Sequence, residues 1–217
     1  VKIKLRVSDF LSVSQHYETT ITLNPPSPLF EPNFLLTFNE TIGSKIASDL
    51  TLRHTDEAYS NLLFALSTLF QVLSTSQTSR GFSSASNVYM QLIDYILDLQ
   101  SLLPLYPFGA HVLASLVQIA TSSDAGASML SCADFDNFIK VLSPLLMEKT
   151  LLAENPYIAR MVGQSLDNLV RYVLFKSQEA ITIDMLNVCS AIMDKVIHLV
   201  DVLSIGFLEG SFPQSDF

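Results

Sequence analysis

The first 24 residues alternate between apolar and polar positions. In residues 1–7, four aliphatic side chains alternate with Lys and Arg, and residues 17–23 alternate again and are rich in Thr. A period of two with β-branched residues is typical of strands with one buried face. Two strands are not stable alone in water, so we expect further strands of the same sheet to precede Val1. The pattern therefore predicts the closing strands of a β module over residues 1–24.

A proline-rich segment ends this β pattern, and helical periodicity follows it. The three prolines in Asn24-Pro25-Pro26-Ser27-Pro28 cannot donate to a sheet, so residues 25–32 are predicted as a stiff linker. From residue 33 to 217 the apolar spacing predicts a helical domain of six or seven antiparallel helices. The predicted helices cover residues 33–50 (an ambiguous stretch), 55–75, 84–103, 110–120, 132–150, 156–176 and 183–205. The pattern alone leaves a compact bundle and an armadillo-like stack both open.

Two uncharged stretches raise the question of a membrane span. Between Glu57 and Arg80 there are 22 uncharged residues, but polar pairs recur every seven residues and mark one face of an amphipathic helix. The stretch from Leu99 to Ser123 contains two prolines and a glycine, which interrupt a continuous helix. We therefore expect no transmembrane span in these 217 residues.

The composition is apolar, acidic and poor in charge. Hydrophobic residues make up 49% of the chain and charged residues 15%, and 12 Lys and Arg against 21 Asp and Glu give a net charge of −9. A chain this hydrophobic is not intrinsically disordered, and its acidity disfavours nucleic-acid partners. So few charges suit a surface that other protein chains or glycans cover.

Residues that commonly carry chemistry are present but scattered. No Cys, Asp or Glu stands at a metal-ligand spacing from any of the four histidines, which are His16, His54, His111 and His198. The segment 134–137 begins like a calcium loop but lacks its glycine and its closing glutamate, so we interpret it as a helix cap. The seven glycines form no phosphate-binding loop. The sequence thus predicts no catalytic, cofactor-binding or metal site, no cofactor and no enzyme.

Two features depend on the compartment of the protein. Cys132 and Cys189 would be buried thiols in a reducing compartment and would pair in an oxidising one. Asn39-Glu40-Thr41 is the only acceptor triplet for an N-linked glycan, at Asn39.

Taken in order along the chain, these segments resemble a known arrangement. Lys4–Asp9 followed by Tyr17–Pro26 resembles the last two strands of the Ig-like polycystin repeats and of the receptor-for-egg-jelly (REJ) module. Val112–Thr121, a loop of small residues and Cys132–Leu146 are similar to the helical region that follows the β modules in polycystin-1-like proteins. That region is in turn similar to the helical half, subdomain A, of the GAIN domain of adhesion receptors.

The sequence also departs from this family. Ser8 stands where the family usually has Thr, and the connection between the strands carries Phe10-Leu11 in place of glycine. The autoproteolytic His-Leu-Ser or His-Leu-Thr triplet is absent, because His198-Leu199-Val200 lacks the hydroxyl nucleophile. Self-cleavage is therefore not expected within these residues.

The resemblance implies a mainly α fold with an N-terminal β piece, in which an antiparallel helical bundle follows the last strands of an Ig-like sandwich. It implies a structural component of a large extracellular glycoprotein at a cell surface, such as a ciliary membrane or its appendages. Its partners would be other protein chains, and its role would be packing or adhesion and the transmission of force. The alternative is an intracellular armadillo- or HEAT-like scaffold that binds other proteins.

Overall fold

A computed structural model describes residues 2–8, 14–20, 38–75, 82–104 and 107–208. The chain divides into two compact units, Val1–Glu31 and Pro32–Phe217, and each is described by itself. The predicted proline linker, residues 25–32, lies outside the described residues.

The first unit contains one antiparallel pair of strands, β1 (Lys2–Ser8) and β2 (Ser14–Thr20). Leu5 is opposite Tyr17 in the register of the pair. The second strand begins three residues before the predicted range 17–23. A single pair does not establish an Ig-like sheet, so the assignment of residues 1–24 to such a module stays a prediction.

The second unit is helical, as predicted. It begins with a π-helical turn, Asn39–Gly43, and a 3₁₀ turn, Cys132–Asp134, precedes its sixth α-helix. The described residues form nine α-helices: α1 (Ser44–Thr51), α2 (Thr55–Thr75), α3 (Phe82–Leu102), α4 (Pro107–Thr121), α5 (Asp124–Ser128), α6 (Phe135–Met147), α7 (Lys149–Glu154), α8 (Pro156–Gln178) and α9 (Ile183–Leu208). The arrangement is compatible with the predicted helical bundle.

The long helices match their predicted ranges, whereas the short ones do not. The predicted loop at 121–126 is wrong, because Ser123 accepts a hydrogen bond from the Gly126 amide and caps α5. The single helix predicted over 132–150 is divided into the 3₁₀ turn, α6 and the start of α7. A membrane crossing would need a longer or more uniformly apolar helix than any in the described part of the chain.

Helix α4 is the centre of the helical unit. It contains no charged residue, and nine of its 15 residues are buried. Helices α2, α3, α6 and α8 all pack against it. Burial on several sides is the stable placement for a helix with so little polar surface.

Contacts between α2, α4 and α8 show that these three helices run parallel to one another in one layer. The Tyr59 hydroxyl of α2 lies 3.2 Å from the Ser115 hydroxyl of α4. About one turn further along α4, the Gln118 amide donates to the Gln164 side chain of α8. Beyond the end of α4, the Tyr172 hydroxyl of α8 donates to Asp124 at 3.0 Å. The contacts with α8 therefore advance in the same direction along the sequence. Phe70 of α2 lies against Gly126, just beyond the end of α4, so α2 and α4 advance together as well, and the three helices run parallel.

Helices α3, α6 and α9 form a second layer in the same way. Along α3, Ser86 contacts Met129 and Gln100 contacts Val141, so α3 and the segment that leads into α6 advance together. Along α9, Cys189 bonds to Cys132 and Lys195 to Asp136, so α9 advances with the same segment. Helices α2 and α3, α4 and α6, and α8 and α9 pack together across the layers. The bundle is therefore three helical hairpins stacked side by side, with α1 against α2 and α3.

We expect Leu116→Ala to lower the free energy of unfolding by about 2 to 5 kcal/mol, because the substitution would leave a cavity where α4 packs against the surrounding helices. Leu116 is fully buried. Leu52→Ala is the control, since Leu52 is 59% exposed, and it should cost no more than about 0.5 kcal/mol. Urea unfolding followed by circular dichroism measures both. Equal losses for the two variants would contradict the central placement of α4.

Candidate interaction surface

A disulfide joins the 3₁₀ turn before α6 to the beginning of α9, within the second layer of helices. The Sγ atoms of Cys132 and Cys189 are 2.04 Å apart and their Cα atoms 5.1 Å apart, and both residues are buried. Cys132 begins the 3₁₀ turn, which is held by the Asp134 carboxylate as it accepts the backbone N–H and the hydroxyl of Ser131, both at 2.7 Å. The Asp134 carboxylate thus closes a capping box with Ser131 at the 3₁₀ turn, but as the N-cap of α6 it makes no side-chain hydrogen bond to that helix. The bond fixes the first turns of α9 to the start of α6.

An ion pair fixes α9 to α6 one turn further along. The Lys195 ammonium donates to the Asp136 carboxylate at 2.6 Å, and Lys140 lies 3.3 Å from the other carboxylate oxygen. The hydrogen bond from Lys195 is the main cause that lowers the pKa of Asp136 below its usual value. Asp136 therefore stays ionised and attached to both lysines at neutral pH.

The end of α8 is fixed to α5 by side chains. Tyr172 donates to the Asp124 carboxylate and stacks on Phe135 with ring centroids 6.3 Å apart. Burial, followed by the hydrogen bond to Asp124, raises the pKa of Tyr172 to about 12. One turn later the Lys176 ammonium donates to the Ser128 carbonyl at 2.8 Å.

The α8–α9 hairpin exposes apolar side chains beyond these anchors. Every residue from Ile181 to Val188 is exposed, as are Leu174, Phe175 and Gln178 near the end of α8. We call the apolar tip the six residues Leu174, Phe175, Ile181, Ile183, Met185 and Leu186, which are between 49% and 90% exposed. Monomeric proteins rarely leave so many large apolar side chains together in water. The apolar tip is therefore a candidate interaction surface.

The charges around the apolar tip are mainly carboxylates. Between Arg171 and Lys195 the sequence has one cation, Lys176, against Glu179, Asp184 and Asp194. The Lys176 side chain is only 16% exposed, because it donates to Ser128 and lies 3.2 Å from Glu179. Glu179 and Asp184 are exposed. The outer charge beside the apolar tip is therefore negative.

Other residues considered from the sequence lie apart from this surface. His54, His111 and His198 are exposed in the turn before α2, in α4 and in α9, and His16 belongs to β2. Within the described ranges, no group of three or more His, Cys, Asp and Glu residues is placed to hold a metal ion. Asn39 begins the π-helical turn, and the next two residues of its triplet, Glu40 and Thr41, are exposed.

The apolar tip is not among the sites predicted from the sequence. The helix predicted over residues 183–205 contains Ile183 to Val188, and no binding surface is predicted among them. The signal was available, because Ile183, Met185, Leu186 and Val188 occupy more than one face of a helix at this spacing. Such a spread indicates either burial on all sides or a surface that another molecule covers.

No protein-family model, curated protein or solved structure matches this chain. What the arrangement can do is therefore argued from its own geometry. A stiffly anchored hairpin that presents apolar side chains can bind another protein chain.

We expect Cys132→Ser combined with Cys189→Ser to lower the free energy of unfolding by about 4 kcal/mol, the chain-entropy value for a loop of this length. The two cysteines are 57 residues apart. Urea unfolding with and without reductant measures the effect. Reductant should destabilise the unaltered chain and leave the double variant unchanged. An unaltered chain that is insensitive to reductant would contradict the bond.

We expect Asp136→Asn to lower the free energy of unfolding by up to about 1 kcal/mol near neutral pH. Because the folded pKa of Asp136 is lowered, its contribution is present above the unfolded pKa and is lost as pH falls through the folded value. The variant and the unaltered chain should therefore converge in strongly acidic solution.

Asp167→Asn is the matched control, since Asp167 pairs only with Arg171 on the same helix and is 73% exposed. Urea unfolding at several pH values measures both variants. A difference between Asp136→Asn and the unaltered chain that persists below the folded pKa would contradict the ion-pair explanation.

Proposed function

We propose that this chain is a structural part of an extracellular, cell-surface glycoprotein of the polycystin-1-like or REJ type, where it packs against other protein chains. The Cys132–Cys189 bond carries the proposal, since stable disulfides belong to oxidising compartments. The bond also suits a part that transmits force, because it covalently joins α9 to the start of α6.

Three further observations support this function. The acceptor triplet at Asn39 has exposed residues at its second and third positions. The low share of charged residues, 15%, suits a surface that neighbours cover. The apolar tip offers a place where a neighbouring chain would pack.

A second candidate function is an intracellular HEAT- or armadillo-like scaffold. The observation that favours it is the stacking of three hairpins in two layers, which is the arrangement of helical-repeat proteins. The two candidates differ in compartment. In the intracellular case Cys132 and Cys189 would be reduced, and Asn39 would carry no glycan.

Mass spectrometry of native material tests the proposal. We expect a non-reduced peptide that links Cys132 to Cys189, and a glycan on Asn39 that peptide-N-glycosidase removes. On expression through the secretory pathway, both Asn39→Gln and Thr41→Ala should abolish the glycan, whereas Asn137→Gln should not. Free thiols together with an unmodified Asn39 would overturn the extracellular function and favour the scaffold.

A further inference from the structure

We propose that the apolar tip docks an amphipathic helix of another protein chain whose apolar stripe is flanked by Lys and Arg. This inference deepens the proposed packing role, on which it rests, by stating the chemistry of the partner. It is carried by the exposure of the tip, the anchoring of its hairpin and the sign of the charges beside it.

The geometry of the hairpin favours a helical partner. Leu174 and Phe175 lie in α8 and Ile183, Met185 and Leu186 in α9, with Ile181 in the turn between them. Most of the tip is therefore helical, with backbone groups that bond within a helix, and the Met185 amide is capped by the Thr182 hydroxyl at 3.2 Å. The hairpin therefore offers no row of free backbone groups on which an extended peptide could add as a strand. A partner must bind through side chains, and a helix that lies along the hairpin presents its apolar residues on one face.

The charges select a basic helix. Glu179 and Asp184 are exposed beside the tip, while the Lys176 ammonium is directed to the Ser128 carbonyl and the Glu179 carboxylate. A helix that places Lys or Arg beside its apolar stripe would meet both carboxylates. An acidic helix would meet repulsion at the same positions.

The same charges disfavour the two other occupants of an apolar surface. A second copy, joined face to face through the tip, would place Glu179 and Asp184 close to identical carboxylates. A bilayer surface is commonly anionic, and segments that lie on it usually carry Lys and Arg on their polar face. Carboxylates beside the tip oppose both contacts.

Fluorescence anisotropy with two labelled synthetic helices tests the inference on the full chain. One helix consists of leucine and lysine with an amphipathic repeat, and the other replaces each lysine with glutamate. We expect the chain to bind the leucine–lysine helix and not the leucine–glutamate helix. Ile181→Asp and Leu186→Asp should each weaken binding by about tenfold or more.

The aspartate substitutions separate apolar docking from simple charge attraction. Each adds a negative charge, so a purely electrostatic complex would become tighter. Phe64→Asp is the matched control, because Phe64 is 59% exposed on α2 and the substitution makes the same change of charge. It should leave the affinity unchanged. Ile181 is 90% exposed and its replacement leaves the fold intact, which circular dichroism checks.

Several results would overturn the inference. The first is equal affinity of Leu186→Asp and the unaltered chain for the leucine–lysine helix. The second is a dimer in light scattering that Leu186→Asp abolishes, and the third is tip-dependent binding to phosphatidylcholine or phosphatidylserine vesicles. Loss of docking with the disulfide and the Asn39 glycan both present would remove the basic-helix partner and leave the extracellular function standing. Docking by a chain with free thiols would support the partner and remove the extracellular function.

Discussion

The burial of α4 is the constraint on which the helical unit depends. This helix has no charged residue, and nine of its 15 positions are buried. It is stable only where other helices surround it, and α2, α3, α6 and α8 do so. Because α2 and α8 run parallel to α4 and both pack against it, the first layer is three helices wide. Helices α3, α6 and α9 complete the second layer, so the stack of hairpins follows from enclosing one apolar helix.

The long helices could be predicted from the sequence because their signals are local. The predicted range 55–75 equals that of α2, which opens with Thr55 and two carboxylates, and Pro156 marks the first residue of α8. The short helices could not be predicted, because tertiary contacts decide them. In α5, a Cβ on Gly126 would lie 2.9 Å from the Phe70 ring, so α5 depends on a glycine that fits closely against α2 and α3.

The candidate site divides in the same way. The cysteines were visible in the sequence, but their 57-residue separation says nothing about distance in space, and only the parallel packing of α6 and α9 brings their Cα atoms to 5.1 Å. The apolar tip was harder to predict, since it depends on where the α8–α9 hairpin extends past its neighbours. An apolar residue in a helical pattern is usually in the core, as Ile192 and Val196 of α9 are. Ile183 and Leu186 follow the same spacing but have no element of the described part of the unit over them.

Anchoring and exposure act together in the hairpin. The disulfide, the Asp136–Lys195 pair and the Tyr172–Asp124 hydrogen bond all lie on the core side of the tip and hold both helices that carry it. A surface held this firmly loses little conformational freedom when it binds, which lowers the entropic cost of association. Each tip side chain that a partner covers adds about 1 to 2 kcal/mol of apolar burial, since between 49% and 90% of its surface is still exposed. The negative charge of the chain acts earlier, at longer range, by attracting a basic partner before the apolar side chains meet. The carboxylates therefore select a basic partner, and the apolar side chains hold that partner once it is bound. Because these are different residues, substitutions can separate the two effects.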